Sequence, residues 1–244
     1  MRETAPRIRG GPGFVTPSWH DEVVAKKYFQ VPELVLGFDT ETTGLSVTSD
    51  RAISYGFCAY RYGSPFWAEQ FFVIPDCPIS AGAYRVHGLT LEDLEAKRSH
   101  DVVLGLEAGV VRAIQTLRSF YNRGGYVVGA NVVRFDLEML RRSSLSVLGA
   151  PLNDTYLDLS LMRIIDVVEH DLAIEPSRDK RARRGLEHLC AHYGVPPGRH
   201  DALGDARAAV EVFKEQVVTN NRGQSPLHLV THEEGFVGLL PNQW

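Results

Sequence analysis

A chain of 244 residues, 44% of them hydrophobic and 23% charged, carries enough apolar material for one sizeable core. Its formal net charge of −4 excludes a broad, sequence-independent grip on duplex nucleic acid, because phosphate neutralisation needs a basic surface. Three cysteines without paired spacing, Cys58, Cys77 and Cys190, argue against a disulfide framework and for a reducing, cytoplasmic setting; no apolar run approaches a membrane span, so no membrane partner is expected.

Residues 1–33 read as an N-terminal extension, Gly- and Pro-rich at first, then a short helix around 20–29. Arg2, Arg7 and Arg9 lead into Gly10-Gly11-Pro12-Gly13 rather than an apolar signal region, so nothing marks the chain for export. Residues 34–38 form a compact apolar run suited to a buried strand. Residues 51–61 and 66–74 are rich in β-branched and aromatic side chains, and Tyr62-Gly63-Ser64-Pro65 between them reads as a hairpin turn. After Pro75 the spacing turns helical. Thr90-Leu91-Glu92-Asp93 looks like a capped helix start, and Val103, Leu104, Val111, Ile114 and Leu117 keep to one helical face.

Residues 126–129 are a short strand, 135–142 a helix, and 156–159 a last short strand. Leu186, Leu189, Cys190 and Tyr193 form one helical stripe; Ala206, Ala209, Val210, Phe213 and Val217 form another. From Thr219 the spacing is lost, and Asn220-Asn221-Arg222-Gly223 reads as a linker into a C-terminal tail, 219–244. The order of elements predicts one α/β domain over 34–218, with a five-stranded mixed sheet flanked by helices.

Three segments carry chemistry. In Gly37-Phe38-Asp39-Thr40-Glu41-Thr42-Thr43-Gly44, residues two apart on a strand share a face, so Asp39 and Glu41 aim two carboxylates at one point. Such a pair repels itself and raises a pKa unless an oxygen-seeking divalent cation lies between. Asn131-Val132-Val133-Arg134-Phe135-Asp136 follows a strand and puts Asp136 at a strand-to-helix junction, where open α/β sheets bind ligands, with Phe135 anchoring the helix. In His200-Asp201-Ala202-Leu203-Gly204-Asp205-Ala206, Asp205 opens the last helix and His200 stands in the loop before it. The small residues Ala202, Gly204, Ala206 and Ala209 let that helix approach the sheet. Singly, each segment has a plainer reading, as solvated acids or a helix-capping aspartate.

Together and in this order the segments resemble the DEDDh (DnaQ-like) 3′→5′ exonucleases, a family that includes the proofreading epsilon subunit of bacterial DNA polymerase III. The first resembles the family's D-x-E-T-T-G, the second its N-x(2–3)-F/Y-D, the third its H-x-A-x-x-D-A. Val86-His87-Gly88-Leu89-Thr90 is similar to its hydrophobic-H-G-I-T turn, and Leu186 to Val195 to a further family helix. Two departures stand out: Asn131 has the longer spacing to Asp136, and Ser54 occupies a strand position where many members carry an acid.

The resemblance implies an RNase H-like fold. It implies that Asp39, Glu41, Asp136 and Asp205 hold two Mg²⁺ or Mn²⁺ ions about 4 Å apart, with His200 as general base. It places Thr40, Thr42, Leu45, Val86, His87, Asn131 and Phe135 near the terminal nucleotide. The implied substrate is a single-stranded or mismatched DNA 3′ end, and the products are nucleoside 5′-monophosphates. RNA is the alternative substrate, although Asp-Thr-Glu-Thr-Thr-Gly is closer to the DNA-acting members. An inactive interaction module conflicts with the intact acidic set, and a D-x-D phosphatase with Glu41.

Three lesser features remain open. His188, Cys190 and His192 suggest zinc, but Cys190 belongs to the buried stripe and the histidines do not. The basic run Arg178-Asp179-Lys180-Arg181-Ala182-Arg183-Arg184 is either a solvated loop or a phosphate contact. Gln224-Ser225-Pro226-Leu227-His228-Leu229 resembles sliding-clamp-binding peptides; a clamp or a DNA polymerase is the partner expected, against a tail that packs on its own domain.

Overall fold

The computed structural model describes residues 31–149, 162–176, 178 and 184–222. The expected helix at 20–29, the strand at 156–159 and the clamp-like peptide lie outside them. Strands β1 (Leu34–Thr42), β2 (Ala52–Arg61) and β3 (Ser64–Ile74) form an antiparallel meander. Tyr62 and Gly63 both take positive φ between the paired Arg61 and Ser64. That is a two-residue hairpin turn whose twist matches the strands it joins.

The sheet has six strands, not five, in the order β4-β3-β2-β1-β5-β6. β4 (Val103–Gly105) runs parallel to β3, while β5 (Tyr126–Gly129) and β6 (Arg163–Asp166) continue parallel from β1. Val103 and Leu104, expected in a helix, pair with β3 instead, and helix α3 begins only at Leu106. A short apolar run, Val102-Val103-Leu104, before a glycine fits either pattern; the open edge of β3 decides it.

Among the described residues there are seven helices: α1 (Ala81–His87), α2 (Leu91–Lys97), α3 (Leu106–Tyr121), α4 (Asp136–Leu148), α5 (Val167–Ile174), α6 (Leu186–Tyr193) and α7 (Ala202–Arg222). The capping box at α2 forms as expected, with Thr90 and Asp93 each accepting the other's backbone N–H. The buried stripe of α3 is Val110, Ala113, Ile114, Leu117 and Phe120; Val111 is only half-buried. α7 continues to Arg222, past the point where the apolar spacing fades, with Gln216 buried and donating to the Val167 carbonyl at 2.8 Å. Among the described residues, no helix is long and apolar enough to cross a membrane.

Alternation along β1 divides the core. Leu34, Leu36 and Phe38 face α3 and α4, whereas Val35 joins Cys58, Val128 and the apolar side of α6 and α7. α7 lies on the sheet backbone itself. A Cβ at Gly56 would sit 2.2 Å from the Ala202 main chain, and one at Gly37 2.5 Å from the Ala206 carbonyl oxygen. Ala202, Ala206 and Ala209 are all buried, as their size led one to expect. Gly56→Ala therefore meets backbone that cannot step aside. It should destabilise the protein by about 3 kcal/mol, the upper end for overpacking. Urea denaturation measures it, and a wild-type midpoint would refute this contact.

Candidate active site

Four carboxylates converge at the C-terminal end of β1 from both faces of the sheet. Asp39 and Glu41 point toward α7, where Asp205 stands on the first turn, and ligand oxygens of the three lie within 4.8 Å of one another. Asp205 is the fourth residue of α7, not its first. Asp136 arrives from the other face at the start of α4, and its Oδ1 accepts a 2.6 Å hydrogen bond from Thr40. His200 stands on the rim, half-exposed, with Nδ1 4.0 Å from Asp205 Oδ2.

The electrostatics are those of a cation site. Burial, then the carboxylates of Asp136, Asp205 and Glu41, hold Asp39 well above the ordinary aspartate range. Burial and the charges of Asp205 and Asp136 push Glu41 up to about 8. Burial pushes Asp136 up to about 7 against the pull of its Thr40 hydrogen bond. Asp205 is raised mainly by burial, and the nearby His200 works in the opposite direction. Mutually repelling oxygens, with no Lys or Arg among the described residues paired to them, fit hard divalent ions such as Mg²⁺ or Mn²⁺. Asp39, Glu41 and Asp205 form the gathered donor set, with Asp136 alongside.

A stability prediction follows. Each of these groups has a higher pKa folded than unfolded, so the folded state binds more protons above about pH 4. The stabilising contribution is complete at low pH and is lost as pH rises through the folded values near 7 and 8. Chelator-treated protein should melt on the order of 5 °C lower at pH 8 than at pH 5.5, and Mg²⁺ or Mn²⁺ should restore the loss. A pH-independent melting curve in chelator would contradict this picture.

The other expected site residues are distributed around this centre. Thr40 and Thr42 are buried; Thr40 serves Asp136, and Thr42 donates to the Gly44 carbonyl at 2.7 Å. His87 ends α1. Its Nδ1 accepts the Leu89 N–H at 3.0 Å, so Nε2 carries the proton donated to the Thr42 carbonyl at 3.1 Å. Burial first, and then nearby His200, lower its pKa and keep this neutral tautomer. Leu45 and Val86 are exposed beside the cleft, Leu45 almost fully at 88%. Asn131 is exposed at φ 57°, and its N–H donates to Asp166 Oδ1 at 3.0 Å. Phe135 is half-buried against the core.

Two acids near the site are not singled out by the sequence reading. Asp166 is buried and caps α5 while fixing the Asn131 turn. Asp201, directly after His200, adds a charge that raises Asp39, Glu41 and Asp205. Its place before a helix, three residues ahead of Gly204, is a capping signal that could have found it.

The remaining candidates resolve differently. His188 and His192 are exposed while Cys190 is fully buried, so no zinc site forms from them. Asp171, Glu175 and His192 come close enough to share an ion, but Asp171 is already held by Arg178, by Arg184 at 3.1 Å and by the Tyr193 hydroxyl at 2.8 Å. The two ends of the basic run thus turn inward to a buried carboxylate; its middle, 179–183, lies outside the described residues.

Residues 36–213 match the model of the RNase_T exonuclease family. The chain belongs to that family. By class it is a 3′→5′ exonuclease, a phosphodiester hydrolase. The DNA polymerase III PolC-type proteins of Thermotoga petrophila and Thermotoga maritima are each 28% identical to it over 176 residues, 72% of this chain and 11% of theirs. The chain thus spans about a tenth of the curated relatives it matches. E. coli Exonuclease I in complex with a dT13 oligonucleotide superposes with a TM-score of 0.62 at 22% identity, over 79% of this chain and 42% of that one. A product-bound structure of exonuclease I gives 0.61 at 21% identity, over 79% of this chain and 46% of that one. These likenesses establish the RNase H-like exonuclease fold.

Proposed function

We propose that this exonuclease removes nucleoside 5′-monophosphates one at a time from single-stranded or mismatched DNA 3′ ends. The observation that carries the reading is the convergence of Asp39, Glu41, Asp136 and Asp205, with an exposed histidine on the rim. Two Mg²⁺ or Mn²⁺ ions held by these carboxylates would supply charge for the phosphodiester and lower the pKa of the attacking water. His200 takes the water's proton on a ring nitrogen. Thr40 orients Asp136 through its hydrogen bond. Leu45 and Val86 offer apolar surface to the terminal base, and His87 holds α1 against the end of β1 in one tautomer. The free, buried thiols of Cys58 and Cys190 suit the reducing cytoplasm.

DNA as substrate is favoured by the relatives, which are DNA polymerases, and by a fold shared with an enzyme seen bound to oligodeoxythymidylate. The likeness to the PolC-type proteins supports a DNA polymerase as partner.

A chain of net charge −4 has little to hold a long duplex. Unpairing a terminal base costs a few kcal/mol in a duplex and nothing in a single strand. Single-stranded and 3′-mismatched DNA should therefore be shortened faster than blunt duplex, distributively and in single-nucleotide steps. A Mg²⁺-dependent time course on matched 5′-labelled DNA and RNA tests this. Equal rates on blunt and single-stranded ends, faster RNA cleavage, or internal fragments would overturn the reading.

A further inference from the structure

Arg199 and His200 are successive non-glycine residues in the left-handed region, at φ 65° and 58°. Side-chain-bearing residues stay there only where their surroundings impose it. A polar strap from the sheet ends beside this pair. Gln70 on β3 donates through Nε2 to Asp201 Oδ1 at 2.6 Å, and the same nitrogen lies 3.1 Å from Ser54 Oγ on β2. The other Asp201 oxygen accepts the Gly204 N–H at 3.1 Å, and its main-chain oxygen accepts the Asp205 N–H at 2.8 Å. Ser54 is aligned with Glu41 across the β1–β2 pair. Gln70 is aligned with Gly56, the glycine on which the first turn of α7 rests. The strap thus runs from the strand position opposite a carboxylate of the centre to the residue adjoining His200.

We propose that Gln70 and Asp201 are positioning residues for His200: the Gln70–Asp201 bond holds the loop at 199–201 in its left-handed form and so fixes the ring over the carboxylate centre. Asp201 caps α7 with one oxygen and is anchored to the sheet with the other, and Gln70 supplies only the second function. A charge-assisted bond at 2.6 Å is suited to that task. The inference rests on His200 acting as the base.

The test compares Gln70→Ala, His200→Ala and the double variant in steady-state hydrolysis of a 5′-labelled single-stranded DNA oligonucleotide at saturating Mn²⁺. Gln70→Ala should lower kcat roughly 10- to 100-fold, the cost of misplacing a reacting group by about an ångström, with KM within about twofold. In the His200→Ala background the same change should have no further effect, because the group it positions is gone. Amide exchange on metal-free protein supplies a readout independent of activity. Residues 198–201 should exchange at least about tenfold faster in Gln70→Ala, while the α7 core keeps its protection. Asp201→Ser, which retains a capping hydroxyl but is too short to reach Gln70, should show the same kcat loss and loop exchange. A wild-type kcat, an equal loss in both backgrounds, or unchanged loop exchange overturns the proposal. A wild-type protein that leaves the oligonucleotide intact defeats the substrate reading instead, and the exchange measurement then decides the strap alone.

Discussion

Asp39→Asn and Asp205→Asn are each expected to abolish nuclease activity while leaving the fold intact. An amide keeps the shape of the carboxyl but cannot balance a divalent charge. Ion binding accounts for several kcal/mol of transition-state stabilisation, so the loss should be at least about 10³-fold in kcat. The electrostatics add a second signature. Asp39 is half-buried beside Asp136, Asp205 and Glu41, and its charge repels theirs. Removing that charge relieves the repulsion, so metal-free Asp39→Asn should melt above metal-free wild type at pH 8 and gain little on adding Mn²⁺. Thermal melts with and without Mn²⁺ read this directly. Wild-type turnover in either variant at saturating Mg²⁺ would rule out the assignment of the centre.

His200→Ala should lower kcat by about 10²- to 10⁴-fold, the range usual for losing a general base. His200 must be neutral to accept a proton, so the wild-type rate should fall as pH drops and His200→Ala should lose that limb. The measurement belongs at saturating Mn²⁺, because Glu41 and Asp136, raised to about 8 and 7, also take up protons as pH falls and weaken ion binding. Saturation suppresses that contribution and leaves the histidine visible. A variant with an unchanged rate and pH profile would show that the water is activated without His200.

The sequence displayed the acidic set more readily than the sheet that carries it. Asp39 and Glu41 could be paired from strand alternation, whereas Asp136 and Asp205, each readable alone as a helix-capping aspartate, joined them through the order of the three segments and the family resemblance that order carries. The sheet was less legible. Val103 and Leu104 fit a helical face equally well, and only the free edge of β3 makes them a strand. β6, four residues long, is defined by pairing with β5 rather than by any pattern of its own. Within the site, Thr40 is written in the motif, but its bond to a residue 96 positions away is visible only after folding. Asp201 was hidden for a related reason: its second partner, Gln70, lies 131 residues off on another strand. The inward turn of Arg178 and Arg184 likewise depends on Asp171, which no local spacing connects to them.

The way α7 rests on the sheet has a mechanical consequence. Gly56 meets the helix at Ala202 and Leu203, and Gly37 meets it at Ala206 and Val210. Asp205 falls between these two bearings, while the helix runs on as a beam to Arg222. At about 1.5 Å per residue the helix reaches roughly 20 Å past the second bearing, and there Val212, Phe213, Gln216 and Val217 are buried, with Gln216 tied to the Val167 carbonyl at 2.8 Å. The beam is thus held along its length as well as at its start, and Asp205 sits where a tilt or slide of the helix would drive main chain into Gly37 or Gly56.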